Sequence, residues 1–217
     1  MRSRPFALRA RAAGVAALWR HVAVAAAAGA VVLGSCSAIW ATTLAEQRTL
    51  QRSIVDRRAQ LNPKFRKIAR QKTRFIIVHT SEGGLNSTLR SVSQGKRVRR
   101  AYRTHGGHAH YVIARNGRVY RTLDRRFVAD HAGRSMWNGQ TDISKISIGI
   151  ELVGYHYGTI TDDQYRSAGA LIDILQRIYA LDDSAVLTHS QVAYGKPNRW
   201  VKKPHRGRKR CAKNFDR

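Results

Sequence analysis

One stretch of the chain decides how the rest is organised: Ser147-Ile148-Gly149-Ile150-Glu151-Leu152-Val153-Gly154. Its apolar residues form a run typical of a strand that is buried on both faces, as in the parallel sheets of α/β proteins. A carboxylate inside such a strand is costly unless it is paired or takes part in chemistry. Glu151 is therefore the first candidate for a functional residue.

Two similar apolar runs each end in a histidine. Residues 75–78 form a short strand that delivers His79, and residues 185–187 form another that presents His189. A side chain at the end of a strand is held rigidly. Together with Cys211, these two imidazoles can hold Zn²⁺ and leave a fourth position for water, which is the arrangement of a hydrolytic zinc.

The remaining patterns complete the fold class. Residues 111–113 and 119–120 flank Asn116-Gly117, a dipeptide that favours a tight hairpin between two antiparallel strands. Residues 161–164 have the capping pattern of a helix start, followed by an apolar helix face. We predict an α/β domain over residues 73–217, with a mixed central β-sheet flanked by helices.

Charge and cysteine content limit the possible functions. The chain has 217 residues, with 40 Lys and Arg against 13 Asp and Glu, a formal net charge of +27. Such a protein is attracted to polyanions: nucleic acid, anionic lipid or the acidic polymers of a bacterial envelope. Because Cys36 and Cys211 are the only cysteines, no disulfide framework is expected.

The first 44 residues are predicted to be separate from the fold. Residues 1–21 are basic and contain no acid, and residues 22–44 contain no charge. This pattern predicts a cytoplasmic N-terminus, a transmembrane anchor and a periplasmic remainder. The sequence before Cys36 resembles a lipoprotein cleavage box, which is the alternative. We expect an uncleaved anchor because the apolar run continues past Cys36.

The next segment, residues 45–72, is predicted to be a basic stalk or linker without chemistry. Its apolar residues recur at loosely helical spacing among many Arg and Lys, and Pro63 interrupts the pattern.

Several short motifs, taken together, resemble one family. The motifs are Ile77-Val78-His79-Thr80, His110-Tyr111-Val112-Ile113 with Arg115-Asn116-Gly117, Asp130-His131-Ala132-Gly133, residues 147–154, Thr188-His189-Ser190 and Gly207-Arg208-Lys209-Arg210-Cys211. Their order resembles that of the zinc-dependent N-acetylmuramoyl-L-alanine amidases of type 2, which include phage T7 lysozyme, the AmpD amidases and the peptidoglycan recognition proteins. The resemblance covers residues 74–217 and implies the fold of that family and a zinc cofactor.

The resemblance implies a role for each matched position. His79, His189 and Cys211 match the metal ligands, and Glu151 matches a glutamate that activates or orients the metal-bound water. Lys209 matches a lysine suited to stabilising the oxyanion of the tetrahedral intermediate. His131 matches a pocket histidine that touches the substrate. We add His110 and Trp137 as candidates for substrate contact, with a structural role as the alternative for His110.

Two departures from the family pattern affect this interpretation. Ala109 stands where several relatives have a tyrosine, so catalysis would depend on Glu151. The segment from His189 to Cys211 is longer than usual, which makes His205 an alternative third ligand. For Cys211 itself, the surrounding cations are expected to lower the thiol pKa and favour the metal-binding thiolate.

The predicted function is hydrolysis of the amide between N-acetylmuramic acid and L-alanine in peptidoglycan. Three alternatives remain: a zinc peptidase that cuts the stem peptide, a non-catalytic peptidoglycan-binding module, and a nucleic-acid-binding protein. The last would explain the charge but neither Glu151 nor an export segment. We expect peptidoglycan and the inner membrane as partners, no specific nucleic acid, and a monomer.

Overall fold

The computed structural model describes residues 42–98, 102–197, 199, 202–206 and 209–216. The α-helices in this part of the chain are α1 (Leu44–Ser53), α2 (Leu85–Gln94), α3 (Asp162–Tyr179) and α4 (His189–Val192). The first six strands are β1 (Val55–Asp56), β2 (Phe75–Thr80), β3 (Arg97–Val98), β4 (Tyr102–Arg103), β5 (Tyr111–Ile113) and β6 (Val119–Arg121). They are followed by β7 (Met136–Trp137), β8 (Gln140–Thr141), β9 (Ser147–Leu152), β10 (Val186–Thr188), β11 (Tyr194–Gly195) and β12 (His205–Arg206). Short 3₁₀ turns lie at Arg58–Gln60, Ile143–Ile146 and Asp183–Ala185.

Six of these strands form a central mixed sheet in the order β1-β6-β5-β9-β2-β10. Its neighbours are parallel except for the β5–β6 hairpin, which is antiparallel. The predicted mixed sheet and hairpin are therefore confirmed. The predicted helix start is confirmed too, because the Thr161 side chain caps α3 in a capping box with Gln164.

Helices pack against the sheet. Because side chains alternate between the two faces along each strand, the position of a residue in its strand determines the face on which it lies. The core cluster against α3 includes Ile76, Val78, Ile148, Ile150 and Leu152. Because successive side chains of a strand point to opposite faces, His79 and Glu151 lie on the other face. They are direct neighbours there, since β2 and β9 are in parallel register.

Residues 45–72 belong to the folded domain, which corrects the predicted stalk. Helix α1 packs on α3, and Leu50 lies in the main core cluster. Strand β1 adds to the central sheet by pairing with β6. Farther along, the guanidinium of Arg70 donates a hydrogen bond of 3.0 Å to the carbonyl of Ser147, which is the first residue of β9. The sequence did not reveal this packing because a two-residue strand leaves no recognisable apolar pattern. The many Arg and Lys residues of the segment suggested exposure to solvent, although several of them make polar contacts within the domain.

The predicted anchor at residues 22–44 and the basic segment at residues 1–21 lie outside the described residues, apart from positions 42–44. At those positions Thr42 hydrogen-bonds Asp173, and Thr43 caps the new helix α1. Leu44 therefore begins a domain helix rather than ending an apolar span. Within the described ranges, no helix has both the length and the apolar character needed to cross a membrane.

Integration of α1 into the core predicts a position-dependent stability effect. Leu50 is 9% exposed, whereas Leu44 in the same helix is 55% exposed. Leu50→Ala should lower the free energy of unfolding by about 2–4 kcal/mol because it leaves a cavity against α3. Leu44→Ala should change it by less than about 0.5 kcal/mol. Denaturant unfolding of both variants measures this, and equal effects would restore the linker interpretation.

Candidate metal and catalytic site

The candidate site lies at the carboxyl edge of three parallel strands. In register, His79 of β2 is opposite Glu151 of β9, and Thr188 of β10 is opposite Val78. His189, the next residue after Thr188, therefore comes beside His79. Both imidazoles are buried, with 2% and 8% of their surface exposed.

Three side chains predicted to bind metal converge at this edge. The Nδ1 atoms of His79 and His189 are 3.1 Å apart, and Cys211 Sγ is 3.6 Å from His79 Nδ1. All three donor atoms lie within 4.8 Å of one another. A tetrahedral zinc with ordinary bond lengths separates two nitrogen ligands by about 3.3 Å and a nitrogen from a sulfur by about 3.6 Å. The observed spacing therefore fits zinc coordination.

A chain of hydrogen bonds fixes which nitrogen of His79 carries a proton. Ser147 Oγ donates to the carbonyl of Ile143 at 2.6 Å, so it must accept from His131 Nε2 at 3.0 Å. Neutral His131 then has a bare Nδ1, which accepts from His79 Nε2 at 2.9 Å. Burial lowers the pKa of both His79 and His131 well below its ordinary value, so both rings are neutral. His79 Nδ1 is consequently left as a lone-pair donor.

The same logic applies to His189. Its Nε2 lies 3.1 Å from the carbonyl of Ala132, which can only accept, so Nε2 carries the proton in the neutral ring. The Nδ1 atoms of both histidines thus present lone pairs toward each other. Two lone pairs at that separation repel unless a cation lies between them. Fixing ligand tautomers through the far ring nitrogen is typical of metal-binding histidines.

The thiol of Cys211 is held by the end of β2. Thr80 N donates to Cys211 Sγ at 3.3 Å, and the thiol lies 3.3 Å from the Thr80 carbonyl. Burial raises the pKa of the thiol to about 12, and the charge of Glu151 acts in the same direction. The expectation that nearby cations lower this pKa is wrong, because the sulfur is turned into the protein. A bound metal deprotonates a coordinating thiol outright, so this burial is compatible with the ligand role.

Glu151 brings a carboxylate to the same side of the sheet. Although the residue is partly exposed, its Oε2 atom is buried and has no hydrogen-bond partner among the described residues. Burial raises its pKa to about 8; Lys96 offsets part of this shift and Glu82 adds to it. An orphaned buried oxygen beside three metal-type donors is what a general base for a metal-activated water needs.

Thr80 and Glu82 complete the site and were missed by the sequence interpretation. The Thr80 hydroxyl accepts from Ala212 N at 2.8 Å and donates to Glu82 Oε1 at 2.7 Å. The hydrogen bond from Ala212 to Thr80 holds the segment that contains Cys211 against the end of β2, which contains His79. The available signal was the hydroxyl next to a candidate ligand, but nothing in the sequence shows that residues 80 and 212 meet.

His131 and His110 both lie inside the protein. The His131 ring, 8% exposed, supports His79, and Gly149 leaves room for it because a Cβ there would lie 2.6 Å from the ring. His110 is fully buried and uses both ring nitrogens on the backbone, at Phe127 O and Gly149 N. This burial argues against the predicted substrate contact and favours supporting roles. Gly149 inside strand β9 was the sequence signal for this close approach of a side chain to the strand.

The other predicted site residues occupy different places. Trp137 is half-buried and packs against the cluster of Ile77 and Leu187 on the site face. Lys209 is exposed, two residues before Cys211. His205 lies in β12, which pairs with β11, and its Nδ1 lies 3.2 Å from the carbonyl of Lys203. Among the described residues, the group able to hold a metal contains Cys211 and not His205.

Comparison with known proteins identifies the family of this chain. Residues 69–211 match the family model described as N-acetylmuramoyl-L-alanine amidase. The chain belongs to this family, in its type-2 branch.

One curated relative and two solved structures illustrate the relationship. A 71-residue stretch is 37% identical to the 1,6-anhydro-N-acetylmuramyl-L-alanine amidase AmpD of Haemophilus influenzae; the match spans 33% of this chain and 39% of the relative. A selenomethionine derivative of AmpD superposes with a TM-score of 0.52 at 22% identity, over 68% of this chain and 85% of that one. Drosophila peptidoglycan recognition protein LB gives a TM-score of 0.50 at 17% identity, over 64% and 83%. These superpositions show a shared fold.

The hydrogen-bond chain behind His79 predicts a role for His131 in metal affinity. His131→Phe keeps an aromatic ring but removes the acceptor of His79 Nε2. Zinc affinity, measured by competition with a chelating dye, should fall by roughly 10-fold to 100-fold. The exposed His105 offers a matched control, and His105→Ala should bind zinc like the wild type. Unchanged affinity in a folded His131→Phe variant would contradict the supporting role.

Burial of Glu151 predicts a pH-dependent stability in the metal-free protein. Its folded pKa of about 8 lies above the ordinary value of 4.5, so between these values the folded state binds more protons than the unfolded state. The free energy of unfolding should therefore fall as pH rises through this window, by at most about 1.4 kcal/mol per pH unit. Glu151→Gln should lack this contribution. Denaturant unfolding from pH 5 to pH 9 should show the variant gaining on the wild type, whereas parallel curves would refute the prediction.

Proposed function

We propose that this protein is a zinc-dependent hydrolase that cleaves the amide between N-acetylmuramic acid and L-alanine in peptidoglycan. The observation that carries the proposal is the convergence of His79, His189 and Cys211 on the face where Glu151 presents a buried oxygen without a hydrogen-bond partner among the described residues. Family membership supports the same reaction class. The activity for which the Haemophilus influenzae relative is named supports the muramyl–alanine amide as the bond cut.

The donor set suits zinc and a catalytic rather than a structural site. Three protein ligands from imidazole and thiolate leave a fourth tetrahedral position. When bound, zinc would supply a water activated near neutral pH and a Lewis acid for the scissile carbonyl. A structural zinc site would fill the fourth position with another protein ligand, and the described residues provide a group of three.

The residues around the metal donors have separate roles in proton transfer, charge stabilisation and substrate binding. Glu151 accepts the proton of the attacking water and returns it to the departing amine of L-alanine. Its raised pKa brings it close to neutral pH, where a group can both take up and release a proton. Lys209 stabilises the negative charge that develops on the carbonyl oxygen. Trp137 offers an aromatic wall for substrate on the same face of the sheet.

His131 and Ser147 act by positioning. They hold the Nε2 proton of His79 in place, so that its Nδ1 lone pair keeps one direction. Because a misplaced ligand changes metal affinity and reactivity, this buried pair belongs to the mechanism although it touches no substrate.

We also propose that the protein works in the bacterial cell envelope, attached to the inner membrane by the part of the predicted 22–44 anchor that precedes Thr42, with its catalytic domain in the periplasm. The support is the uncharged run and the basic residues before it. The high positive charge would keep the domain near an anionic wall.

Digestion of purified peptidoglycan tests the proposed reaction. The full chain loaded with zinc should release stem peptides that begin at L-alanine, identified by mass. Glu151→Gln should lower the rate by roughly 10²-fold to 10⁴-fold because it removes the proton carrier. A chelator should abolish release. Glu46→Gln is the matched control, since Glu46 is an exposed carboxylate in α1 and should leave the rate unchanged.

Other products would redirect the assignment. Fragments cut within the stem peptide would replace the amidase with a zinc peptidase. Binding to peptidoglycan without any release, by a protein that holds zinc, would leave a non-catalytic recognition module.

A further inference from the structure

A five-residue loop at the end of β9 is tied to both segments that carry metal ligands. It runs from Gly154 to Gly158 and follows the strand that bears Glu151. The backbone N–H of Glu82 donates to Gly154 O at 2.8 Å, and the Glu82 carboxylate pairs with His156 at 2.9 Å. On the other side, Asn214 Nδ2 donates to Tyr155 O at 3.2 Å and Gly158 O at 2.5 Å.

These anchors place the loop at the rim of the candidate site. Glu82 comes three residues after His79, and Asn214 comes three residues after Cys211. Glu82 is also close enough to raise the pKa of both Glu151 and Cys211. The loop therefore borders the place where the proposed substrate must enter.

The loop presents two stacked tyrosines to solvent. The rings of Tyr155 and Tyr157 are 5.3 Å apart and inclined by 20°, and they are 45% and 75% exposed as residues. The His156 ring meets the Tyr157 ring edge-on at 5.1 Å. This pair is held in place before any ligand arrives, so binding to it costs little ordering entropy.

The composition of the loop favours a neutral ligand over an anionic one. The sequence Gly154-Tyr155-His156-Tyr157-Gly158 contains no Lys or Arg, although the chain has 40 of these residues. The face of a tyrosine ring is apolar, and its hydroxyl hydrogen-bonds at the edge. Sugar rings offer the complementary pair of features, an apolar C–H face and peripheral hydroxyl groups. The neutral sugars of a glycan strand fit this surface better than a phosphate or a carboxylate.

We propose that Tyr157, stacked on Tyr155, is a sugar-binding platform that holds the glycan strand of peptidoglycan beside the metal site. The choice of glycan rests on the proposed function, whereas the platform itself rests on the geometry of the loop. In this arrangement the platform binds the glycan at the edge of the site, and the amide that joins the glycan to the stem peptide reaches Glu151.

Sedimentation binding with two purified polymers tests the platform without requiring turnover. The polymers are intact peptidoglycan and chitin, an insoluble and uncharged polymer of N-acetylglucosamine that carries no peptide, and each is mixed with the full chain carrying Glu151→Gln. Adding Tyr157→Ala should weaken binding to both polymers by about threefold to tenfold, the usual range for one aromatic contact. Tyr102→Ala is the matched control, since Tyr102 is 62% exposed in β4 and should bind like the parent.

Each other outcome has a definite meaning. Equal binding by the Tyr157→Ala and parent proteins would overturn the platform. Weaker binding to intact peptidoglycan alone would overturn the sugar assignment and identify a peptide contact. If the protein proves unable to hydrolyse peptidoglycan but loses glycan binding with Tyr157→Ala, the platform stands and the proposed catalytic function fails.

Discussion

The site depends on two unprotonated ring nitrogens that face each other inside the protein. His79 and His189 lie at the ends of parallel strands, and each has its far nitrogen committed to a neighbour that fixes the proton there. Burial keeps the rings from relieving the conflict by protonation, because it lowers the pKa of His79 well below its ordinary value. A cation between the two Nδ1 atoms would stabilise this arrangement, and without one the two lone pairs repel each other. Binding of a metal ion between them would therefore be coupled to the stability of this edge of the sheet.

Much of this could be predicted from the sequence because it depends on strand patterns. A buried strand is marked by its apolar run, and parallel neighbours end at the same edge, so the positions of His79, Glu151 and His189 could be inferred once the strands were located. The Asn116-Gly117 hairpin and the Thr161 cap were equally local signals. These patterns fix backbone register, and register is enough to bring three of the four principal site residues together.

The rest depends on contacts between distant segments, which local patterns do not encode. Residues 45–72 looked like a linker because their contribution to the sheet is a two-residue strand, and their polar contacts reach residues such as Asp124 and Ser147 far along the chain. The burial of Cys211 was hidden for the same reason, since the cations beside it in sequence say nothing about which way its sulfur points. His131 and His110 were candidates for substrate contact, with a structural role as the alternative for His110, yet a neutral histidine can be buried in a core when both ring nitrogens are hydrogen-bonded.

The long segment between His189 and Cys211 raised the question of how a third ligand is kept in place. The entropy of closing a loop grows only with the logarithm of its length, so added residues weaken the site little if the residues around the ligand are themselves anchored. They are anchored on both sides: Ser190 N donates to the Cys211 carbonyl at 3.1 Å, and Ala212, fully buried, donates to the Thr80 hydroxyl. Phe215 then stacks on Tyr165 of α3. The position of the sulfur is thus set by strand β2 and by the anchored residues 212–215, and the length of the preceding loop is free to vary.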